Sequence, residues 1–463
     1  MTESELHVAG PDTAPSTVNG PNLPGPPRTA ALQMLMIMNR DRLGMLTSAV
    51  NKYGDAARIP VGPKTLYLFN HPDYAKHVLA DNAANYHKGI GEVHARRALG
   101  DGLLTSEGEV WRKQRSVIQP AFSSRRMARQ AGIIAEEAGY LVSRLRAHVG
   151  HGPVDIVREM TALTLGVLGR TLLDADLDAF DSVGSSFEAV QDQAMFELAT
   201  LGAVPTWIPL PRQQRFRRAR ADLESIVHEL VAQRGEQVEG REDVLSRLIV
   251  SAGQEPDPRT GQLRLRDELV TLLLAGHETT ASTVGWTLHL VDRHPAVWQQ
   301  LHAEAVAVLD DRLPVYDDLN RLNYTRMVIE EAMRLYPPVW LLPRRALADD
   351  DVGGYRVPAG ADVLICPYTL HRHPKFWPDP ERFDPERFAP DRHAGRPRYA
   401  YIPFGAGPRF CVGNNLGMLE AVFIVATLAR YLRLESPPGR VVVPEPMLSL
   451  RISGGLPMMV HTV

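Results

Sequence analysis

The sequence is poor in cysteine, carries little net charge and has no long apolar run. Its 463 residues include only two cysteines, Cys366 and Cys411, which is too few for a disulfide framework. The 51 basic and 54 acidic residues leave a net charge of 51 − 54 = −3, which gives no support for a nucleic-acid-binding protein. These shortages favour an ordinary globular protein in a reducing compartment, and we expect a cytoplasmic location.

The N-terminal region shows no targeting or membrane signal. Residues 1–27 are polar and rich in Pro and Gly, without the basic and apolar segments of a secretory signal. The apolar stretch Ala30–Met38 contains Gln33 and is far shorter than the ~20 residues that span a bilayer. We therefore predict a flexible tail over residues 1–27 and no membrane anchor.

The remainder of the chain, residues 28–463, has a uniform composition, although about 150 residues per domain would suggest three domains. Apolar residues at helical spacing predict the longest helices, which are Met127–Val149, Ile156–Leu173, Arg217–Arg234 and Asp267–Arg293. The polar segment Gly253–Gly261 is predicted to be a surface loop between two helices.

Strand patterns are short and few. They are predicted at Ala57–Val61, at Thr65–Phe69, at Asp362–Cys366 and as a final pair around Ser453–Gly455. Gly62-Pro63 supplies the turn between the first two strands. Because strands and helices do not alternate, the expected fold class is mainly α with small β-sheets rather than a doubly wound sheet.

Two common motifs fail at a required position. Gly405-Ala406-Gly407 begins a dinucleotide-binding pattern, but Phe410 occupies the place of its last glycine. His277-Glu278 begins a zinc-protease pattern, but Ala281 stands where the second histidine ligand should be. Neither a nucleotide-binding nor a zinc-protease activity is therefore predicted.

The strongest chemical signal surrounds Cys411, in the run Phe404–Gly413 (FGAGPRFCVG). Its glycines let the backbone approach a bulky flat object closely. A helical pattern starts directly after it, and a thiolate before a helix N-terminus is stabilised by the helix dipole, which predicts a lowered thiol pKa. Arg409 can pair with a carboxylate, and Phe404 can shield the sulfur from water. Cys366, in contrast, lies in an apolar strand pattern and is predicted to be an inert core residue.

This run is similar to the haem-binding signature of the cytochrome P-450 superfamily, whose cysteine thiolate is the axial ligand of the iron. The resemblance covers the chain from about residue 30 to its end. It implies a cytochrome P-450 fold with one large haem-enclosing domain over residues 28–463, haem b as cofactor and Cys411 as the metal ligand. It also implies the activity of a haem-thiolate monooxygenase.

Three further motifs support the resemblance. Ala275–Thr280 (AGHETT) is similar to the family's oxygen-activating turn, with small residues beside the iron and with Glu278 and Thr279 as the catalytic acid–alcohol pair that relays protons. Glu331 and Arg334 form an E-x-x-R pair, and the resemblance completes a structural triad with Arg387, for which Arg382 is a competing candidate.

The third motif, Trp111–Arg115, is similar to the family's W-x-x-x-R, whose two side chains share one helix face and donate to a haem propionate. Arg409 is a second partner, and either Arg344 or Arg345 a third; His371 is a weaker candidate. The cofactor-binding residues implied in this way are Trp111, Arg115, Arg344, Arg345, Phe404, Arg409, Cys411 and Gly413.

The expected substrate is lipophilic, because the segments expected to line the pocket carry no charged anchor. The predicted lining is Leu104, Leu274, Ala275, Val339, Trp340, Leu341 and Leu450. A terpenoid is the first expectation, then a polyketide; a fatty-acid hydroxylase, a peroxide-driven peroxygenase and a haem-binding sensor remain alternatives.

The expected electron donors are separate proteins, a ferredoxin and its NAD(P)H-dependent reductase, and the expected state is a monomer. The basic residues Arg112, Lys113, Arg125, Arg126 and Arg129 are predicted to form a face for an acidic ferredoxin.

Overall fold

The computed structural model describes residues 21–91, 95–96, 99–177, 183–200, 204–205, 207–235, 238 and 240–463. Its helices are α1 (Ala31–Arg40), α2 (Arg42–Tyr53), α3 (Pro72–Lys76), α4 (Gly108–Ile118), α5 (Ser124–Arg146), α6 (Ile156–Leu168), α7 (Val183–Ala199), α8 (Pro211–Arg234), α9 (Val244–Gly253), α10 (Pro258–Asp292), α11 (Pro295–Leu309), α12 (Asn323–Leu335), α13 (Pro367–Leu370), α14 (Pro390–His393) and α15 (Asn414–Tyr431).

The strands are short. They are β1 (Ala56–Val61), β2 (Lys64–Phe69), β3 (Tyr86–Lys88), β4 (Val154–Asp155), β5 (Leu342–Ala346), β6 (Asp350–Val352), β7 (Tyr355–Val357), β8 (Asp362–Ile365), β9 (Leu432–Glu435), β10 (Pro444–Pro446), β11 (Leu450–Ile452) and β12 (Pro457–Thr462). The largest sheet among the described residues has the order β1-β2-β8-β5-β3. The predicted class, mainly α with small β-sheets, is confirmed.

The first hairpin confirms the strand pattern read from the sequence. β1 and β2 pair antiparallel, with Ala56 opposite Phe69, and Gly62 in the turn has a φ of +52°. β2 then pairs in parallel with β8, with Leu66 opposite Asp362, which joins an early part of the chain to a late one.

The last predicted strand pair is only half correct. Strands do flank Ser453–Gly455, but they do not pair with each other: β11 pairs with β10, while β12 pairs with β4 and β9. The reason is local, because Gly454 and Gly455 have φ angles of +69° and +76° and direct the chain into a different sheet.

The long central helix begins earlier than predicted. α10 has 35 residues, about 52 Å at 1.5 Å per residue, and starts at Pro258 rather than at Asp267. The Asp257 carboxylate caps it by accepting from the backbone N–H groups of Arg259 and Thr260, and proline is favoured in the first helical turn. The loop predicted over Gly253–Gly261 is therefore wrong, since only residues 254–257 separate α9 from α10.

The packed part of the chain starts before the predicted boundary at residue 28. Leu23 is buried, and its carbonyl accepts from Arg58 Nε at 3.0 Å. The backbone N–H of Arg58 also donates to the Pro24 carbonyl. Residues 21–27 thus include an attached segment, whereas residues 1–20 of the predicted tail lie outside the described residues.

The main hydrophobic core surrounds α10 and α15. One cluster of buried side chains contains members from Ala95 to Val460, drawn from α5, α6, α10, α12 and α15. A second cluster covers one face of the main sheet. A core shared by such distant parts of the chain is what a single large domain requires.

Candidate active site between Cys411 and the central helix

The loop that carries Cys411 is held by its own backbone. The Cys411 N–H donates to the Phe404 carbonyl at 3.0 Å, and the Phe410 N–H donates to Gly407 at 3.0 Å. Gly407 has a φ of +66°, and a Cβ there would overlap the carbonyl of Leu79. Glycine is therefore required at this position for two reasons, the backbone conformation and the close approach of a neighbouring chain segment.

Phe404 and Gly413 flank this loop. The Phe404 ring is partly buried and meets the Phe410 ring edge-on, with centroids 6.5 Å apart. Gly413 precedes α15 and has a φ of −92°. A Cβ at Gly413 would make ordinary contact, 3.4 Å, with the Phe122 ring. Unlike Gly407, Gly413 is therefore not required by the polypeptide itself.

The Cys411 thiol lies in a recess. Its side chain is accessible, yet burial among the surrounding protein atoms raises the pKa of the thiol. The Gly413 N–H and the Arg115 guanidinium act in the opposite direction without cancelling that effect. The lowered pKa predicted from the helix N-terminus is therefore wrong for the polypeptide alone, because desolvation outweighs these stabilising groups.

The middle of α10 packs against α15, the helix that begins shortly after Cys411. Ala275 is exposed although residues 271–274 directly before it are buried. α10 and α15 approach each other at Thr280 and Gly417, where a Cβ on the glycine would lie 3.8 Å from the threonine hydroxyl. We infer that Ala275 and the Cys411 thiol face the recess from opposite sides. An accessible thiol opposite a small side chain fits a flat, bulky group held between them.

Gly276 has a different role from the one predicted. A Cβ at Gly276 would overlap the Leu168 side chain of α6, so this glycine allows two helices to pack closely. Of the predicted small pair, Ala275 is exposed and Gly276 is partly accessible.

Trp111, Arg115 and Arg409 form a stack beside the cysteine loop. The guanidinium of Arg409 lies 4.0 Å from the centre of the Trp111 ring, and that of Arg115 lies 5.7 Å from it. Arg115 Nη1 donates to the Phe410 carbonyl at 3.0 Å. Arg409 Nη1 donates to the Ser106 carbonyl at 2.9 Å, and Arg409 Nη2 pairs with Glu107. The structure thus brings the three predicted residues together, with two cationic groups next to the thiol.

Strand alternation separates the two neighbouring arginines of β5. Arg345 forms a two-pronged ion pair with Asp362, with Nη2 2.8 Å and 3.0 Å from the two carboxylate oxygens. Arg344 is buried, lies on the opposite face of the strand and donates to the Pro343 carbonyl at 2.8 Å. Arg344 is the buried member of the pair and is therefore the better candidate for contact with a cofactor enclosed by the domain.

His371 does not match the role predicted for it. It is fully buried, and its Nε2 accepts from the Ile402 backbone N–H at 2.9 Å. Burial, followed by the nearby charge of Arg334, lowers the pKa of His371 to about 3. A neutral imidazole used as an acceptor is not a cationic partner for a propionate, so this candidate was wrong.

Glu278 and Thr279, the predicted acid and alcohol, each form a hydrogen bond with another residue of the protein. Thr279 Oγ1 donates to the Ala275 carbonyl at 2.8 Å within α10. Glu278 Oε1 accepts from the Ser449 hydroxyl at 2.8 Å. Both side chains are partly accessible. They are neighbours in sequence and lie beside the recess, but each is held by a different partner.

The predicted triad is assembled and buried. Arg334 meets Glu331 with two hydrogen bonds of 2.7 and 2.8 Å, and neither side chain is exposed. Arg387 Nε lies 3.3 Å from Glu331 Oε1. Arg382, the competing candidate, is exposed and contributes only its backbone carbonyl, to Arg334 at 3.1 Å. The geometry therefore favours Arg387 as the third member.

The triad also fixes the chain between α13 and the cysteine loop. Arg334 Nη1 donates to the carbonyls of His371 at 3.0 Å and Pro380 at 2.7 Å, and the Asp384 N–H donates to Glu331 at 2.9 Å. Burial raises the pKa of the Glu331 carboxyl, while the hydrogen bonds and charge of Arg334 act in the opposite direction.

The predicted pocket lining is partly wrong. Ala275 is exposed, and Leu104, Val339 and Leu341 are partly accessible. Three others are buried in packed clusters and present almost no surface: Leu274, Trp340 and Leu450. Trp340, for example, packs with the N-terminal helices, and its Nε1 donates to the Met447 carbonyl at 2.9 Å. Their apolar character reflects the core rather than a ligand surface.

Two polar residues near the site were missed by the sequence analysis. Ser449, the partner of Glu278, is buried in a segment with no motif. Glu420 is a lone carboxyl in the otherwise apolar middle of α15, and burial raises its pKa to about 8 despite a hydrogen bond with Thr280. An isolated acidic residue in a buried helix was a usable signal for Glu420, whereas nothing in the sequence marked Ser449.

Comparisons with known proteins agree with this site. The family model described as Cytochrome P450 matches residues 23–456. This chain is a cytochrome P450. It is similar to cyclooctatin synthase of Streptomyces melanosporofaciens, at 36% identity over 90% of both chains. It is also similar to cyclooctat-9-en-7-ol 5-monooxygenase of the same organism, at 37% identity over 84% of both, and to pentalenene oxygenase of Streptomyces avermitilis, at 31% over 86% of this chain and 88% of the other.

As a cytochrome P450, the protein is a haem-thiolate monooxygenase that acts on a lipophilic substrate with the help of redox partners. The fold predicted from the motifs is confirmed. No helix in the described part of this P450 is long and apolar enough to cross a membrane.

Proposed function

We propose that this P450 inserts one oxygen atom from O₂ into a C–H or C=C bond of a terpenoid in secondary metabolism. The observation that carries the proposal is the accessible Cys411 thiol in its rigid loop, opposite the exposed Ala275. The terpenoid class is supported by similarity to a cyclooctat-9-en-7-ol 5-monooxygenase and a pentalenene oxygenase. A polyketide is the next candidate, and a fatty-acid hydroxylase or a peroxygenase the alternative.

In this proposal two groups of residues hold haem b. Cys411 is the iron ligand, with Phe404 and Gly413 beside it. Trp111, Arg115, Arg344 and Arg409 hold the propionate side, which is supported by the stack of the first two with Arg409 and by the burial of Arg344. Bound haem supplies O₂ binding and the redox chemistry, tuned by the thiolate.

Other side chains are proposed to transfer protons or to support the site. Glu278 and Thr279 are the proposed acid and alcohol that move protons on the oxygen side of the recess. Glu331, Arg334 and Arg387 are proposed to fix the segment that leads to Cys411. The proposed lining is reduced to the accessible side chains, which are Leu104, Ala275, Val339 and Leu341.

The proposed electron donors are a ferredoxin and its NAD(P)H-dependent reductase. Arg112, Arg125 and Arg129 are exposed near the cysteine loop, which supports a basic docking face. Two members of the predicted face are already occupied: Lys113 pairs with Glu255 at 2.5 Å, and Arg126 lies 4.0 Å from Glu242. The proposal includes a monomer in the cytoplasm, where two free thiols remain reduced.

The ligand assignment has a direct spectroscopic test. Cys411→Ala is expected to abolish the red-shifted absorption band of the reduced carbon monoxide complex. Cys366→Ala is the matched control, because Cys366 is fully buried and its Sγ donates to the Trp340 carbonyl at 3.2 Å. Retention of the band in Cys411→Ala, or its loss only in Cys366→Ala, would overturn the assignment.

The substrate class is tested by the change of the iron spin state on binding. Cyclooctat-9-en-7-ol, pentalenene, a macrolide and a long-chain fatty acid are compared in one titration series. A spin shift and an oxygenated product confined to the terpenoids are expected. Turnover of the fatty acid alone would favour the alternative, and peroxide-supported turnover that equals the rate with ferredoxin and reductase would favour a peroxygenase.

The proposed alcohol is tested by Thr279→Ala. This variant is expected to consume NAD(P)H while forming less product, because the recess loses its hydroxyl next to the reacting oxygen. Thr283→Ala is the control, since Thr283 makes the same bond to the carbonyl four residues back, at 2.9 Å, one helical turn farther along α10. Equal product yield per NAD(P)H in Thr279→Ala and the native enzyme would contradict the role and favour a haem-binding sensor.

A further inference from the structure

The C-terminal hairpin β10–β11 is attached to α10 by one stripe of side chains. Ser449 donates to Glu278 at 2.8 Å, Ser282 Oγ donates to the Leu450 carbonyl at 2.6 Å, and Trp286 Nε1 donates to the same carbonyl at 3.0 Å. Residues 278, 282 and 286 are four apart and therefore lie on one face of the helix. Of these three hydrogen bonds, the one between Ser449 and Glu278 involves a carboxylate.

A second stripe lies beside the first and is made of hydroxyls. Thr279, Thr283 and Thr287 each donate to the carbonyl four residues back, at 2.8, 2.9 and 2.7 Å. The acid and the alcohol of the proposed pair thus belong to neighbouring faces of α10. The hairpin holds the acid, and the helix itself holds the alcohol.

Charged and polar groups surround Glu278 on several elements. Arg451 follows Ser449 by two residues and pairs with Glu445 at 2.8 Å. Burial lowers the pKa of Arg451, but the bond to Glu445 and the charges of Glu445, Glu278 and Glu188 outweigh this and raise it. On α10 itself, burial lowers the pKa of His277 and keeps that side chain neutral.

The turn of the hairpin is connected to the proposed ligand lining. The Leu450 N–H donates to the Pro338 carbonyl at 2.9 Å, and Trp340 Nε1 donates to the Met447 carbonyl at 2.9 Å. The segment between these contacts includes Val339, and Leu341 follows directly; both are partly accessible. The turn that holds Glu278 is therefore hydrogen-bonded to the segment that carries Val339.

We propose that Ser449 is a positioning residue that holds the Glu278 carboxylate at the hairpin. The inference rests on the proposed roles of Glu278 and Thr279. Its consequence is that the empty enzyme delivers protons slowly to the oxygen side of the recess, which limits wasteful reduction of O₂.

The test uses the holoenzyme without substrate or redox partners. The protein is chemically reduced, freed of reductant and mixed with oxygenated buffer, and its return to the ferric state is followed by absorption across a pH series. In this step one electron passes from ferrous iron to O₂ and one proton is taken up: Fe²⁺ + O₂ + H⁺ → Fe³⁺ + HO₂•. Ser449→Ala is expected to accelerate it about fivefold, the factor that one ordinary hydrogen bond represents.

Three comparison variants separate positioning from general loosening. Ser282→Ala removes a tie to the same hairpin without touching Glu278 and is expected to leave the reoxidation rate unchanged. Ser449→Thr restores a hydroxyl and should restore the slow rate. In a Glu278→Gln background, Ser449→Ala should have no further effect. An unchanged rate in Ser449→Ala, equal acceleration in Ser282→Ala, or equal acceleration in the Glu278→Gln background would overturn the proposal.

A second readout does not depend on the haem. Amide hydrogen exchange of residues 447–450 is measured in each variant. Ser449→Ala and Glu278→Ala, each of which removes one side of the hydrogen bond, should accelerate exchange to a similar extent, and the double variant no more than either single change. Additive effects would show that the two residues do not act through one bond. If the chain failed to bind haem, no reoxidation signal would exist in any variant, which is distinct from failure of the hairpin tie.

Discussion

The duplicated sequence Pro-Glu-Arg-Phe provides an internal comparison for the charged triad. Arg387 lies in the second copy, where its Nε is 3.3 Å from Glu331 and its Nη2 donates to the Asp379 carbonyl at 2.9 Å. Arg382 lies in the first copy with an exposed side chain, and only its backbone carbonyl contacts Arg334. Arg387→Ala and Arg382→Ala thus remove the same group from a buried and an exposed site.

The expected change in the free energy of unfolding depends on which contacts remain after each substitution. Removing one partner of a buried ion pair costs about 3–5 kcal/mol, but in Arg387→Ala the carboxylate of Glu331 keeps both hydrogen bonds from Arg334. We therefore expect a loss closer to that of a hydrogen bond to a charged group, about 2–3 kcal/mol in the free energy of unfolding. Arg382→Ala should change it by no more than about 0.5 kcal/mol, as exposed substitutions usually do.

The assay is guanidinium unfolding of the purified holoenzyme, followed in parallel by circular dichroism and by the haem absorption. Arg387→Ala should lower the midpoint and release haem at a lower denaturant concentration, and Arg382→Ala should match the native enzyme. Glu331→Gln should lower the denaturation midpoint most, because it leaves two buried guanidinium groups without their carboxylate. Equal midpoints for Arg387→Ala and Arg382→Ala would refute the assignment of the third triad member.

Three other predictions test further parts of the structure. Gly407→Ala should prevent haem uptake, measured by the absorbance ratio of haem to protein, because the added Cβ would overlap the Leu79 carbonyl. Arg344→Gln should lose haem faster than Arg345→Gln in transfer to apomyoglobin, because Arg344 is buried whereas Arg345 is partly accessible. Burial raises the pKa of Glu268 to about 8 from 4.5, so the folded state binds more protons than the unfolded state between these values. Stability should therefore fall as pH rises through this window, by at most about 5 kcal/mol, and Glu268→Gln should flatten the denaturation midpoint measured from pH 5 to 8.

The sequence predicted the parts of the site that depend on local spacing. The glycine-rich motif around Cys411, which includes Gly407, lies within one short stretch of sequence. The two residues of the E-x-x-R pair are neighbours on one helix. Fold class and family followed from these local patterns. The resemblance already favoured Arg387 over Arg382, and the structure supplies the physical reason, because Arg387 is buried against Glu331 whereas the Arg382 side chain is exposed.

The remaining features arise from contacts between distant parts of the chain. Ser449 and Glu278 are 171 residues apart, and no periodicity links a hairpin turn to the middle of a helix. The burial of Leu274, Trp340 and Leu450 has a similar cause, since an apolar residue looks alike in sequence whether it packs in a core or lines a cavity. The prediction of a lowered Cys411 thiol pKa failed for a related reason. The burial of the thiol depends on how the whole domain folds, and its effect on the pKa exceeds that of the nearby helix N-terminus.

The two sides of the recess differ in how firmly they are held, and this difference predicts how variants should behave. On the thiolate side, Arg334 alone bonds Glu331 and the carbonyls of His371, Pro380 and Arg382, all within one buried network. On the oxygen side, the Glu278 carboxylate accepts from one serine hydroxyl on a small hairpin. Loss of a bond in the buried network leaves charges without partners, so its variants should change stability and haem retention. Loss of the single tie to Ser449 leaves a carboxylate that can still reach water, so that variant should change rates while the fold persists.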